Sequence, residues 1–157
     1  MPIREVENIE ELKKLEGEEV AVSDWLEVTQ DRIDKFADAT GDHQWIHVDV
    51  DRCEKESPFG APIAHGYLTL SFLPHLNSSA LKIKQKFKMG VNYGLNKLRF
   101  MSPVKAGSRI RSRMKLISVK EVKGGWQINW KTTIEIEGQD KPACVAETIS
   151  RSYVGAP

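Results

Sequence analysis

Residues 40–47 read Thr-Gly-Asp-His-Gln-Trp-Ile-His and place one carboxylate and two imidazoles within a single short run. Three roles suit such a run. A metal would use His43 and His47, whose spacing puts both on one face of a continuous helix. Proton transfer would use Asp42 and His47, brought to one side by a turn, as a carboxylate–imidazole pair sharing acid and base work near neutral pH. A structural role would have Asp42 capping a turn and His47 satisfying a core hydrogen bond. Gly41 stops a helix just ahead of the run, and no HExxH glutamate or cysteine cluster completes a ligand set, so no metal is expected. Spacing alone leaves the other two roles open.

Further on, "SPFGAPIAHGYLTLS" delivers Gly66 to the head of an apolar segment. N–H groups at a helix start have no intrahelical partner and sit at the positive end of the dipole, so they bind developing negative charge. Glycine there lets a carbonyl approach without a side chain in the way. A proton-transfer pair with a helix-terminal oxyanion donor suits the addition of water to an enoyl thioester. That attack forms an enolate whose oxygen needs stabilising, and a proton must reach the neighbouring carbon.

The elements around these residues follow from periodicity. Ile9, Leu12 and Leu15 predict an amphipathic helix over 5–15, ending near Gly17. "VAVSDWLEVT" reads as a strand. Thr29 can cap a helix over 30–40 with Ile33, Phe36 and Ala37 on its apolar face and Gly41 as its stop. Asp49 can cap another over 50–56. Trp45 and Ile46 are expected to enter the core and dry the pair beside them. "HGYLTLSFLPHLNSS" is apolar nearly all round and predicts a helix buried on most sides, kinked or ended by Pro74. From residue 82 onward alternation takes over, and four strands follow: 91–103, 109–122, 126–138 and 143–154, with turns at Gly124–Gly125 and Gly138–Gln139–Asp140. One greasy helix with about five half-polar strands implies an α+β domain in which a curved antiparallel sheet wraps the helix.

Composition narrows the partners. The 157 residues suit one domain, read here as 1–157, with 23 basic and 22 acidic side chains giving a net charge of +1. Bulk charge therefore predicts neither a nucleic-acid nor a membrane partner. The two cysteines, Cys53 and Cys144, lie far apart without CxxC spacing, and the N-terminus lacks an apolar signal region, so a cytoplasmic location is expected. No glycine-rich phosphate loop and no GxSxG elbow is present.

"FADATGDHQWIHVD" followed by "PFGAPIAHGYLTLS" resembles the MaoC-like dehydratase family, most closely its branch named after nodulation protein N. The likeness continues through "MGVNYGLNKLRFMSPVKAGSRIR" and covers most of the chain. The resemblance implies a hot-dog fold, usually a homodimer, and (R)-specific hydration of an enoyl-CoA or its reverse, with no cofactor beyond the coenzyme A or acyl-carrier thioester that is the substrate. By the same resemblance Asp42 and His47 hold and activate the water, and the Gly66 N–H receives the thioester oxygen. Which of the pair takes the water proton stays open. Many members carry Asn-Pro where this chain has Gln44–Trp45, and the better-known hydratases carry a serine about two turns after the glycine. Here Pro74 stands at that place with Ser71 nearest, so Ser71 is either a substrate contact or a hydroxyl bonded to its own helix. His65 either touches substrate or shapes the turn before Gly66. Tyr93 either lines the acyl tunnel or packs in a dimer seam. Alternatives to hydration are a hot-dog thioesterase and a non-catalytic acyl-CoA-binding module in which Trp45 occludes the pocket. The alternating lysines of "LKIKQKFKMG" serve either phosphate binding or a solvated edge.

Overall fold

A computed structural model describes residues 2–157. β1 (Arg4–Val6) leads into α1 (Ile9–Lys13), capped by Asn8, whose side chain accepts from the Glu11 N–H. The helix expected over 5–15 is thus shorter, because its first residues leave to pair as a strand. β2 (Glu19–Val22) and β3 (Leu26–Glu27) divide the strand expected over 20–29. Between them the buried Ser23 accepts from the Ser112 N–H and bends the chain. α2 (Gln30–Thr40) begins at the Thr29 cap and ends at Gly41, whose φ of +81° is the left-handed stop that glycine allows. α3 (Trp45–Val48) and α4 (Val50–Glu56) follow, the second capped by Asp49.

The apolar segment forms α5 (Gly66–Ser71) and α6 (Leu73–Ala80), joined at Phe72. Pro74 has no N–H to offer the Leu70 carbonyl, which breaks the ladder there. Leu68, Phe72, Leu73 and Leu76 face the core, whereas Tyr67 is 69% exposed and Ser71, Pro74 and His75 are open to solvent. The segment expected to be buried on most sides therefore shows one face to solvent in the protomer.

β4 (Leu81–Ile83) pairs in parallel with β1, and the four long strands are β5 (Met89–Phe100), β6 (Arg109–Val122), β7 (Gly125–Ile136) and β8 (Cys144–Tyr153). With β2 and β3 they make a six-stranded antiparallel sheet in the order β2-β6-β7-β8-β5, β3 also pairing with β6. Alternation on β6 buries Ile110, Ser112, Met114 and Leu116 against the helices and turns Arg109, Arg111 and Arg113 outward. Ile110, Ile134, Cys144 and Ala146 close on Leu68, Phe72 and Leu76 to form the core beneath the site.

The outward arginines are matched by glutamates. Arg111 and Arg113 share Glu135, and Arg113 also reaches Glu19. Burial opposes a charge on Glu135, yet hydrogen bonds from Arg111 and Arg113 hold its carboxyl below the usual value. Lys84 is likewise held by Glu5 and Glu7, which ties β4 to β1 and takes one lysine out of the alternating row. Cys53 and Cys144 are both fully buried, and burial pushes the Cys144 thiol up to about 11.

Candidate active site

The run that opens the sequence forms a turn and a short helix. Gly41 ends α2, the Asp42 carboxylate accepts from the Gln44 N–H at 3.3 Å, and α3 carries His47 inward until it is 6% exposed. Asp42 itself stays on the surface. Drying therefore acts on the imidazole and not on the carboxylate, against expectation. Trp45 and Ile46 are only half-buried. The Trp45 ring lies under the Arg52 guanidinium, 4.0 Å from its centroid, and lines neither cavity described below.

The His47 ring is fixed by partners. Its Nδ1 is 2.6 Å from the Ile63 carbonyl oxygen, which can only accept, so Nδ1 carries the hydrogen and Nε2 keeps a bare lone pair. Gln30 donates through Nε2 to the His47 carbonyl at 2.8 Å and so holds the backbone of α3 to the start of α2. Burial lowers the pKa of His47. The Ile63 hydrogen bond and the nearby Asp42 charge raise it and His65 lowers it, with a net value below the ordinary one near 6.5. His47 is thereby kept neutral at physiological pH.

His65 lies immediately before Gly66 and is 3% exposed. Its ring stacks on His47, with centroids 3.8 Å apart and planes 23° apart, and its Nε2 donates to the Asp42 carbonyl at 3.0 Å. One carboxylate oxygen of Asp42 and one ring nitrogen of each histidine lie within 4.8 Å of one another. This trio is the obvious place to ask about a metal. Imidazole lone pairs lie in the ring plane, so two nearly parallel stacked rings aim them side by side and not at one point. Each histidine also commits a nitrogen to a carbonyl. The arrangement suits proton transfer better than convergent coordination.

Gly66 heads α5, and its N–H belongs to the first turn, which has no partner inside the helix. A Cβ built there would lie 3.0–3.1 Å from the Phe100 ring. The room that glycine leaves is thus filled by Phe100, and a carbonyl must reach the N–H from another side. A cavity of about 270 Å³ opens here, lined by Ile63, Gly66, Thr69, Phe100, Met101 and Pro103 among others. Ile63 and Gly66 join it to the Asp42–His47–His65 cluster.

Ser71 and Tyr93 lie elsewhere. Both border a larger cavity of about 700 Å³ between the α5–α6 segment and the sheet, together with Leu70, Asn77, Met114 and Trp130. The Ser71 hydroxyl donates to the Tyr67 carbonyl at 2.6 Å, the back-bond to its own helix. The Tyr93 ring carries the Arg151 guanidinium 3.7 Å over its centroid. The expected site residues thus fall into two groups: Asp42, His47, His65 and Gly66 in one, and Ser71 with Tyr93 along the larger cavity. Gln30, the Ile63 carbonyl and Phe100 were not singled out from sequence. A backbone acceptor has no side-chain signature, and Phe100 reads there as one more residue of a strand.

Comparison with known proteins gives the family and the fold. Residues 11–138 match the MaoC like domain. The 3-hydroxyacyl-thioester dehydratase Z of Mycobacterium tuberculosis is 48% identical over 150 residues, covering 95% of this chain and 98% of that protein. Nodulation protein N of Rhizobium leguminosarum bv. viciae is 47% identical over 136 residues, covering 85% and 84% respectively. Among solved structures, a monoamine oxidase regulatory protein from Archaeoglobus superposes with a TM-score of 0.74 at 22% identity over the full length of both chains. The (R)-hydratase from A. caviae involved in PHA biosynthesis superposes at 0.65, with 21% identity over 85% of this chain and 95% of that one. The sheet and helix arrangement is the hot-dog fold of these neighbours, and the chain belongs to the MaoC-like dehydratase family.

Proposed function

We propose that this protein is a hydro-lyase that adds water across trans-2-enoyl thioesters and runs the reverse dehydration of (R)-3-hydroxyacyl thioesters, with coenzyme A or an acyl carrier as the thiol. The observation that carries the reading is the His47 tautomer. With Nδ1–H bonded to Ile63, the bare Nε2 is free to take a proton, and the Asp42 carboxylate lies near enough to hold the same water.

In the forward direction His47 Nε2 removes a proton from the water held by Asp42, and the oxygen adds to C3. The C2–C3 π electrons move toward the carbonyl as an enolate, whose oxygen takes the Gly66 N–H. The proton on Nε2 then passes to C2, so both hydrogens of the water end on the product and the pair returns to its starting state. Asp42 keeps its hold on the oxygen and stabilises the transient imidazolium. None of these steps calls on a metal or an organic cofactor.

A second copy completes the proposed enzyme. β5 is a sheet edge whose Met89, Tyr93, Leu95 and Phe100 are exposed, a length of apolar edge that a homodimer would cover by strand pairing. No helix among the described residues is long and apolar enough to cross a membrane, and we place the protein in the cytoplasm.

The test mixes the purified protein with a short and a medium trans-2-enoyl-CoA and follows the conjugated enoyl absorbance. Loss of absorbance without release of free thiol is the expected result. Thiol release would make the protein a thioesterase, and acyl-CoA binding without turnover would make it a binding module. Gly66→Ala tests the approach to the Gly66 N–H in the same assay, because the methyl pushes the Phe100 ring toward the cavity that both residues line. The added methyl meets a half-exposed Phe100 that can yield by a few tenths of an ångström, so the crowding is relieved at the surface. Melting temperature should stay nearly level while kcat falls by about tenfold, less than the roughly 10²–10³ of a deleted oxyanion donor because the N–H remains.

A further inference from the structure

Outside the water-activating pair, one buried titratable side chain touches every part of the site. His65 donates from Nε2 to the Asp42 carbonyl, lies with its ring face against His47, and is the residue whose peptide bond supplies the Gly66 N–H. Phe36 of α2 also packs against the ring, with centroids 4.9 Å apart and planes tilted by 54°. The remaining nitrogen, Nδ1, is buried without any hydrogen-bond partner.

The partners settle the tautomer. A carbonyl accepts only, so Nε2 carries the hydrogen, and a second hydrogen on Nδ1 would be a buried donor with nothing to receive it. A ring held in this way cannot take part in the proton cycle, yet its placement is too specific for filler. Leucine or phenylalanine would fill the space between Phe36 and His47 at no polar cost, whereas this ring leaves an acceptor orphaned.

We propose that His65 is a positioning residue: its Nε2–H ties down the turn that carries Asp42, and its ring face holds the His47 imidazole at the angle from which Nε2 meets the water. Its catalytic consequence rests on the hydration reading given above. Through one side chain the two water-binding groups and the oxyanion N–H are set relative to one another. A misplacement of about 1 Å in such an arrangement lowers rate by about 10²-fold.

Two substitutions separate the two contacts. His65→Phe keeps a flat ring on His47 and removes the N–H. His65→Gln keeps an N–H at similar reach and removes the ring. In His65→Phe, kcat should fall about 10- to 100-fold with KM within about threefold, and the acid limb of the pH profile should move less than in His65→Gln, since a covering ring stays and only the smaller effect of the neighbouring imidazole on His47 is lost. In His65→Gln, kcat should be restored only in part, to between His65→Phe and the wild type, because the tie to the Asp42 turn is kept and the ring on His47 is lost, and the acid limb should move to higher pH. The sign follows from burial: His47 acts as a base, its activity is lost as pH falls through its pKa, and removing the ring that covers it lets that pKa rise toward the ordinary value. The titratable groups that face His47 are Asp42 from the turn ahead of α3 and His65 from the head of α5, with the buried Cys53 thiol of α4 bonded to carbonyls of α3 beneath it.

A measurement free of substrate accompanies the kinetics. Two-bond ¹H–¹⁵N spectra of the histidine side chains report tautomers directly and should show Nε2–H for His65 and Nδ1–H for His47. A His65 that carries its hydrogen on Nδ1 overturns the proposal, as does a His65→Phe enzyme with wild-type kcat. Equal losses in both variants, with parallel loss of melting temperature and an unmoved acid limb in His65→Gln, also overturn it and leave His65 a core residue. Should the wild type hydrate no enoyl thioester, the hydration reading fails, and the tautomer spectra still decide whether His65 is bound to the Asp42 turn.

Discussion

Asp42→Asn lowers kcat for enoyl-thioester hydration by about 10²–10⁴-fold, the usual worth of a group in a proton-transfer pair. The protein stays folded: the side chain is exposed, its one recorded bond is from the Gln44 N–H, and the asparagine oxygen can accept that bond equally well. Such a surface substitution moves stability by about 0.5 kcal/mol or less, or roughly 1–2 °C in melting temperature for a chain of this length. What is lost is charge. A neutral amide cannot hold the water as strongly or stabilise the imidazolium that forms on His47. Steady-state kinetics beside a thermal melt make the check, and a fully active Asp42→Asn would return the carboxylate to the role of a turn cap.

The second large effect belongs to His47→Gln, and it differs in kind. The rate falls by a similar factor of about 10²–10⁴, but here the fold suffers as well. The ring is buried, and the Ile63 carbonyl loses its donor unless the glutamine amide reaches it. A buried acceptor left unpaired costs about 1–3 kcal/mol, at roughly 2–4 °C of melting temperature per kcal/mol. The wild-type pH profile should lose activity on the acid side only below about 6.5, since burial holds the His47 pKa under its ordinary value. Stability follows the same sign. Below about 6.5 the unfolded chain takes up a proton at this position that the folded one declines, so stability at this residue falls with pH until the folded value is reached. A calorimetric pH series should show that decline in the wild type and a flatter curve in His47→Gln. A wild type whose activity holds level far below pH 5 would remove neutral His47 from the role of base.

The residues most legible in the sequence were those whose job is local. Thr29 and Gly41 bound α2 as expected, because a cap oxygen and a left-handed glycine act within one turn of their own position. The long strands were legible from alternation, which needs only one solvated face. The helix expected over 5–15 takes in Glu5 and Val6, because the partner of their strand, Leu81–Ile83, lies far away in the chain and no local pattern announces a parallel pair. Pro74 marked an interruption, but the exposure of Tyr67 depends on how much of the helix the sheet can cover. In the site, residue types pointed to Asp42, His47 and Gly66. The division of labour did not show, since it depends on the Ile63 carbonyl that fixes the His47 tautomer and on which of the pair the fold buries. His65 was noticed only for its neighbour, and its stacking on His47 across 18 residues is a product of the turn between α4 and α5.

The two cysteines have a practical consequence for telling hydration from thioester cleavage. Disulfide reagents react with thiolates, and both protein thiols are sealed inside the fold, with burial pushing their pKa values upward. The native enzyme should therefore be silent toward an aromatic disulfide dye. Colour that develops when acyl-CoA is added then counts coenzyme A released and nothing else, so a single cuvette can follow bond cleavage while the enoyl band reports water addition.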